Sequence, residues 1–124
     1  MESEHGMQIK LLTAKIHRAT VTQVDKDYVG SITIDADLLD ATGLVPDQCV
    51  LVADLENGTR HETYVMAGER GSGTICINGA AALLVSVGDK VIIMAFAYVT
   101  PEQAAEMKPK VALVDEQNRV TRML

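Results

Sequence analysis

Aromatic residues are scarce in this 124-residue chain, at 3%, so aliphatic side chains must fill any core it builds. Cysteine is limited to Cys49 and Cys76. Both sit in apolar runs without metal-ligand spacing, which reads as two buried, reduced thiols of a cytosolic protein. Basic residues are outnumbered, with 11 Lys and Arg against 17 Asp and Glu and a formal net charge of −6. Nucleic-acid binders draw affinity from neutralising phosphates, so this balance argues against one. An anionic ligand would need a local basic site to overcome the mean field. No apolar run approaches the roughly 20 residues that a membrane span requires. Met1–Gly6 is polar and no apolar stretch follows it, so no secretory signal is read. The expected location is the cytoplasm, with no membrane partner. Also missing are a nucleophile elbow, a P-loop, a dinucleotide fingerprint and a zinc spacing.

What is present suits one domain over residues 1–124. The chain is 48% hydrophobic and 23% charged. For so short a chain that apolar share is high, so part of it is expected to be buried against other copies. Short β-rich runs separated by turn signals predict strands at Met7–Ile16, Thr20–Val24, Ser31–Ile34, Val50–Leu55, Thr59–Val65, Thr74–Ile77, Lys90–Val99 and, last, Val111–Val114. Asn57-Gly58 favours a type I′ hairpin turn, and Arg70–Gly73 reads as a glycine-rich turn. Two short helices are marked. One has Asp35 as N-cap and Gly43 as stop. The other has a Thr100/Gln103 capping box, Pro101 at its first position and Pro109 closing it. Many short strands in one small domain indicate a compact β-barrel or sandwich.

Taken alone, the chemistry-bearing residues are ambiguous. Gly79-Ala80-Ala81-Ala82 would let backbone approach a ligand, but a small-residue packing turn is the simpler reading. Lys15 and His17 would share a strand face, where solvated side chains are the common outcome. Gly-Ser occurs at Gly30-Ser31 and at Gly71-Ser72, and most such dipeptides are turns.

Together these pieces resemble one family. Lys15-Ile-His17-Arg18-Ala-Thr-Val-Thr22, Tyr28-Val-Gly30-Ser31 and Ile34-Asp35 are followed in order by Asn57-Gly58-Thr59-Arg60, Thr63-Tyr64 and Glu69-Arg70-Gly71-Ser72-Gly73. Ile77-Asn78-Gly79-Ala80-Ala81-Ala82 and Val87-Gly88-Asp89 complete the set. The order and register, from about Met7 onward, are similar to those of the pyruvoyl-dependent aspartate 1-decarboxylases. Met1–Gly6 reads as an added extension. Ile9, Lys10 and Leu83 depart from residues common in that family, without touching its central motif.

The resemblance implies a mainly β fold, a double-psi β-barrel with short helices. It implies self-cleavage between Gly30 and Ser31 into chains 1–30 and 31–124, with residue 31 becoming a pyruvoyl group. No metal and no pyridoxal phosphate would be needed. In the implied chemistry, Ser31 Oγ attacks the Gly30 carbonyl, and glycine helps by lacking Cβ and tolerating strained φ/ψ. Thr63 donates to the developing oxyanion. The pyruvoyl group then forms a Schiff base with L-aspartate and Tyr64 reprotonates Cα, giving β-alanine for pantothenate and coenzyme A synthesis. Arg60, a two-point donor, is assigned to the β-carboxylate, Lys15 adds positive charge and His17 supports the site. Gly79, Ala80 and Ala81 contact substrate, Asn78 holds their turn near the cofactor, and cleaved protomers assemble as a homotetramer. On a regular strand Arg60 and Tyr64 share a face and Thr63 points away, so joint service would need a bend, a bulge or a site wrapping the strand's end. Two competing readings are an uncleaved, non-enzymatic β-barrel module and a pyruvoyl decarboxylase of another acidic amino acid.

Overall fold

In the computed structural model, which describes residues 6–124, the longest early element is strand β1 (Ile9–Thr20). Ala14, Ile16 and Ala19 turn inward while Lys15 and His17 stand half-buried on the other face. Sequence patterning predicted a break after Ile16, whereas the strand runs on. Register shifts against its neighbour absorb the change of face, the second falling at Ile16–Ala19 with Arg18 at φ 65°. Met1–His5, nearly all of the segment read as an extension, lie outside the described residues.

The chain continues through β2 (Gln23–Asp25), β3 (Ser31–Asp35), helix α1 (Ala36–Thr42), β4 (Cys49–Asp54), β5 (Arg60–Gly68) and β6 (Ile75–Asn78). A 3₁₀ turn (Gly79–Leu83), β7 (Lys90–Val99), α2 (Pro101–Glu106), β8 (Lys110–Val114) and β9 (Val120–Met123) follow. The strands form one sheet in the order β2-β6-β3-β5-β4-β7-β1-β8-β9. β1 and β2 are joined by only two residues yet lie far apart in that order, so the sheet must curl. Val21 and Thr22 stitch the curl, Val21 N–H donating to Asp89 O and Thr22 N–H to Ile75 O. The class is mainly β with short helices, as expected.

The interior is aliphatic. Ile16, Ile32, Ile34, Ile75, Ile77 and Ile93 are fully buried, with Val21, Val50, Val52, Val65 and Val91 between them. These β-branched side chains explain how a chain so poor in aromatics forms strands and a core together.

Both helix signals act as read. The Asp35 carboxylate accepts from Asp37 N–H, and Gly43 closes α1 at φ 78°. Thr100 and Gln103 form the reciprocal capping box of α2. Asp35 does more than cap. It also accepts from the N–H groups of Gly71 (3.0 Å) and Gly73 (2.8 Å). Burial alone would raise its pKa, but these bonds and the Arg119 charge outweigh that and hold the carboxyl below its ordinary range. The turn can come so close because Gly73 sits at φ 73°, where a Cβ would stand 2.7 Å from Gln117 O.

Three expectations are corrected. The loop after Asp54 is wider than a type I′ turn: among Asn57 and Gly58 only Gly58 has positive φ, and Gly58 N–H donates back to Asp54 O. Asn57 instead uses its side chain, accepting from Thr59 N–H. A further strand, β9, follows β8, its residues all exposed and therefore without any hydrophobic alternation to announce it. Cys49 is exposed, because Val50 takes the inward position and alternation turns Cys49 out. Among the described residues no helix is long and apolar enough to cross a membrane.

Candidate active site

Strand β3 begins at Ser31 itself and lies between β5 and β6. Ser31 is paired with Asn78 of β6, and Ile32 with Val65 of parallel β5. Extending the second register back two residues brings Gly30 alongside Thr63. Ser31 is 1% exposed. Its hydroxyl donates to the Val29 carbonyl at 3.1 Å and accepts from Asn78 Nδ2 at 2.9 Å. The same amide donates to Thr33 Oγ1 at 3.1 Å.

After Asn78 the chain turns at once into the 3₁₀ segment, and Gly79 at φ 80° makes that turn. A Cβ on Gly79 would lie 2.5 Å from Gly30 Cα and 3.0 Å from Gly30 N, so only glycine lets the two backbones touch. Gly79 thus packs against Gly30 and the Tyr28 carbonyl, just before the Gly30-Ser31 bond. Gly30 itself has no positive φ, and a Cβ there would meet nothing within 4 Å. The positive-φ glycine at this junction is Gly79.

A cleft of about 470 Å³ opens over this bond, lined by Gly30, His61, Thr63, Asn78, Ala80 and Ala81. That volume is ample for a small metabolite. Leu83 and Leu84 close one side, and Asn57 Nδ2 anchors Leu84 O at 2.8 Å. Behind the Asn57 loop lies a buried acid, Asp54. Burial, then the neighbouring Asp89 carboxyl, push its carboxyl pKa up, while Glu56 N–H pulls the other way.

Five of the residues singled out in the sequence line this cleft: Gly30, Thr63, Asn78, Ala80 and Ala81. Ser31 and Gly79 abut it. Arg60, Tyr64, Lys15 and His17 do not line it. The β4–β5 register runs without a shift from Cys49–Tyr64 to Ala53–Arg60. With no bulge, Thr63 faces the cleft while Arg60 and Tyr64 take the opposite pleat face. Lys15 lies on that same outer face, in a lateral row with Met94, Leu51 and Glu62. Three strand spacings separate it from β5, about 14 Å. His17, also outward, has its pKa lowered by burial and then by the Lys15 and Arg18 charges.

Sequence reading passed over His61. It stands two residues before Thr63 on one strand face, and that spacing was the available signal. Its Nε2 is buried without a partner, and burial lowers its pKa below the ordinary 6.5. A lowered imidazole pKa gives stability that is present above pH 6.5 and lost as pH falls through 6.5 toward the folded value. His61→Phe removes both the unpaired nitrogen and the titration. Thermal or urea unfolding should show the variant about 1 kcal/mol more stable at pH 8. The gap should widen between pH 7 and pH 5; parallel pH profiles would rule this account out.

The fold and cleft define a small, mainly β protein in which exposed Gly30, lining a metabolite-sized cleft, is followed by a buried serine. Comparison with known proteins gives the family. The aspartate decarboxylase family model matches residues 7–121. The aspartate 1-decarboxylase of Ruminiclostridium cellulolyticum is 59% identical over 116 residues, 94% of this chain and 91% of that one. That of Lactiplantibacillus plantarum is 58% identical, covering 94% and 89%. That of Bacillus subtilis strain 168 is 51% identical over 114 residues, covering 92% and 90%. This chain belongs to the aspartate decarboxylase family.

Proposed function

We propose that this protein decarboxylates L-aspartate to β-alanine and CO₂ in the cytoplasm, feeding pantothenate and coenzyme A synthesis, with a pyruvoyl group made from its own Ser31. The observation that carries this reading is the setting of Ser31. It heads a strand, is shut from bulk water, has its Oγ bonded to Asn78, and adjoins a cleft lined by Gly30 and Thr63. These residues fit a prosthetic group generated in place. The curled sheet is read as the double-psi barrel that the resemblance implies.

Cleavage after Gly30 would not release the short chain. β1 remains paired with β7 and β8, and β2 with β6. Thr63 is the donor to the oxyanion formed on Gly30 during cleavage. Once formed, the pyruvoyl group supplies a ketone for the substrate amine and a sink for the electrons left by CO₂. The Gly79–Ala81 backbone bounds the substrate, and Asn78 holds that turn. Tyr64 is the proton donor to the substrate Cα. Arg60 takes the β-carboxylate rather than the α-carboxylate, whose strong stabilisation would oppose its loss. Lys15 adds positive charge and His17 supports it.

One protomer does not converge these last four groups on its own cleft. A homotetramer of cleaved protomers would bring the outer face of one copy over the cleft of another. Half-buried Leu51, Met94 and Phe96 on that face support this assembly, since they offer apolar surface to a neighbour.

Intact mass spectrometry of the purified protein, paired with a β-alanine assay, tests the reading. Two chains are expected, 1–30 and 31–124, the longer carrying a ketoacyl terminus. A single uncut chain with full activity, or long chains all beginning in an unmodified serine, would refute the cofactor reading.

A further inference from the structure

We infer that Cys76 is a positioning residue for the self-cleavage, its thiol fixing which end of the Asn78 amide faces Ser31. The inference rests on the processing reading above and adds a residue to it. Cys76 lies on β6, two residues before Asn78 and therefore on the same pleat face, and is 6% exposed. Its Sγ donates to Asn78 Oδ1 at 3.1 Å. The other end of that amide, Nδ2, serves Ser31 Oγ at 2.9 Å and Thr33 Oγ1 at 3.1 Å.

An Asn amide turned over by 180° keeps its shape and exchanges its donor and acceptor ends. Thr33 can donate or accept and does not choose between the two orientations, and Ser31 chooses only while its proton is held by Val29 O. Cys76 does choose. With the amide reversed, a buried NH₂ would face sulfur, a weak acceptor, and would lose its partner. Burial, and next the Asp25 charge, raise the thiol pKa, so the proton needed for the bond to Oδ1 stays in place at neutral pH.

The orientation matters because of what happens to Ser31 Oγ. In the acyl shift the Gly30 C–Oγ bond forms, the Gly30 C–N bond to residue 31 breaks, and the Oγ proton ends on that nitrogen. The resulting ester oxygen has no hydrogen and can only accept. In the next step the residue 31 Hα leaves as a proton, the Cβ–Oγ bond breaks, and Oγ departs within the Gly30 carboxylate, gaining negative charge. Only an amide presenting NH₂ can hold Oγ through both steps. Cys76 thus keeps Asn78 in the orientation that serves the ester and the leaving carboxylate.

The test follows freshly translated wild type, Cys76→Ala, Cys76→Val and Cys76→Ser over time by intact mass, reading the fraction split after Gly30. Thermal unfolding of each identifies any that fail to fold. The near-isosteric valine carries the test if alanine collapses the site. Loss of one neutral hydrogen bond predicts splitting roughly 3- to 10-fold slower in the alanine and valine variants. Serine carries a hydroxyl that can donate to Oδ1 or accept from a reversed NH₂, so it satisfies Asn78 without fixing its orientation, and its rate should fall between those of alanine and wild type. A folded alanine or valine variant splitting at the wild-type rate, or a serine variant as fast as wild type, overturns the orienting role of Cys76. A wild-type chain that never splits would instead overturn the self-cleavage reading, and this inference with it.

Discussion

Ser31→Ala should remain one chain of 124 residues and produce no β-alanine above background. The substitution removes the attacking oxygen and the atom from which the cofactor is derived, so both losses are complete rather than graded. The fold should survive. Asn78 Nδ2 loses one acceptor but keeps Thr33 Oγ1, and the cost of one neutral hydrogen bond is about 1 kcal/mol. Intact mass, circular dichroism and a decarboxylation assay on one preparation separate these outcomes. Normal turnover by the uncut variant would remove Ser31 from the chemistry altogether.

Arg60→Ala should lose about 2–5 kcal/mol in kcat/KM for aspartate, the usual cost of breaking a charge-assisted pair in a partly desolvated site. Arg60→Lys should also suffer, since a point charge does not replace the planar fork. Self-cleavage should be nearly unaffected. Arg60 is exposed and on the face of β5 opposite Thr63, away from the Gly30-Ser31 bond. If Arg60 holds the β-carboxylate, Arg60→Ala should also lose preference for aspartate over alanine. Measuring kcat/KM for both amino acids decides the matter. A retained preference would move carboxylate recognition to Lys15, another outward cation.

Local signals were legible wherever a residue's role depended on its near neighbours. The capping bonds of Asp35, Gly43, Thr100 and Gln103 span only a few residues, so these caps could be read from spacing. The β-branched runs around Ile32, Ile75 and Ile93 likewise announced buried strands. Asn118 had no such signal. Its amide accepts from Thr20 N–H and donates to Thr20 O and Gly73 O, partners 98 and 45 residues away. The bulge near Arg18 and the exposed strand β9 were hidden for the same reason, since sheet pairing rather than local preference sustains them.

The sequence by itself determined the aliphatic core, the mainly β class, the two caps and, through its ordered motifs, the family, and it singled out candidate site residues. Tertiary structure alone decided how those residues are distributed. The parallel pairing of β3 with β5 and the antiparallel pairing with β6 bring Gly30, Ser31, Thr63 and Asn78 together from three separate strands. Regular alternation along β5, uninterrupted by a bulge, sends Tyr64 and Arg60 to the far face. Pairing register is a long-range property: a shift of one residue would exchange the two faces, and nothing within a single strand specifies the partner against which it is counted.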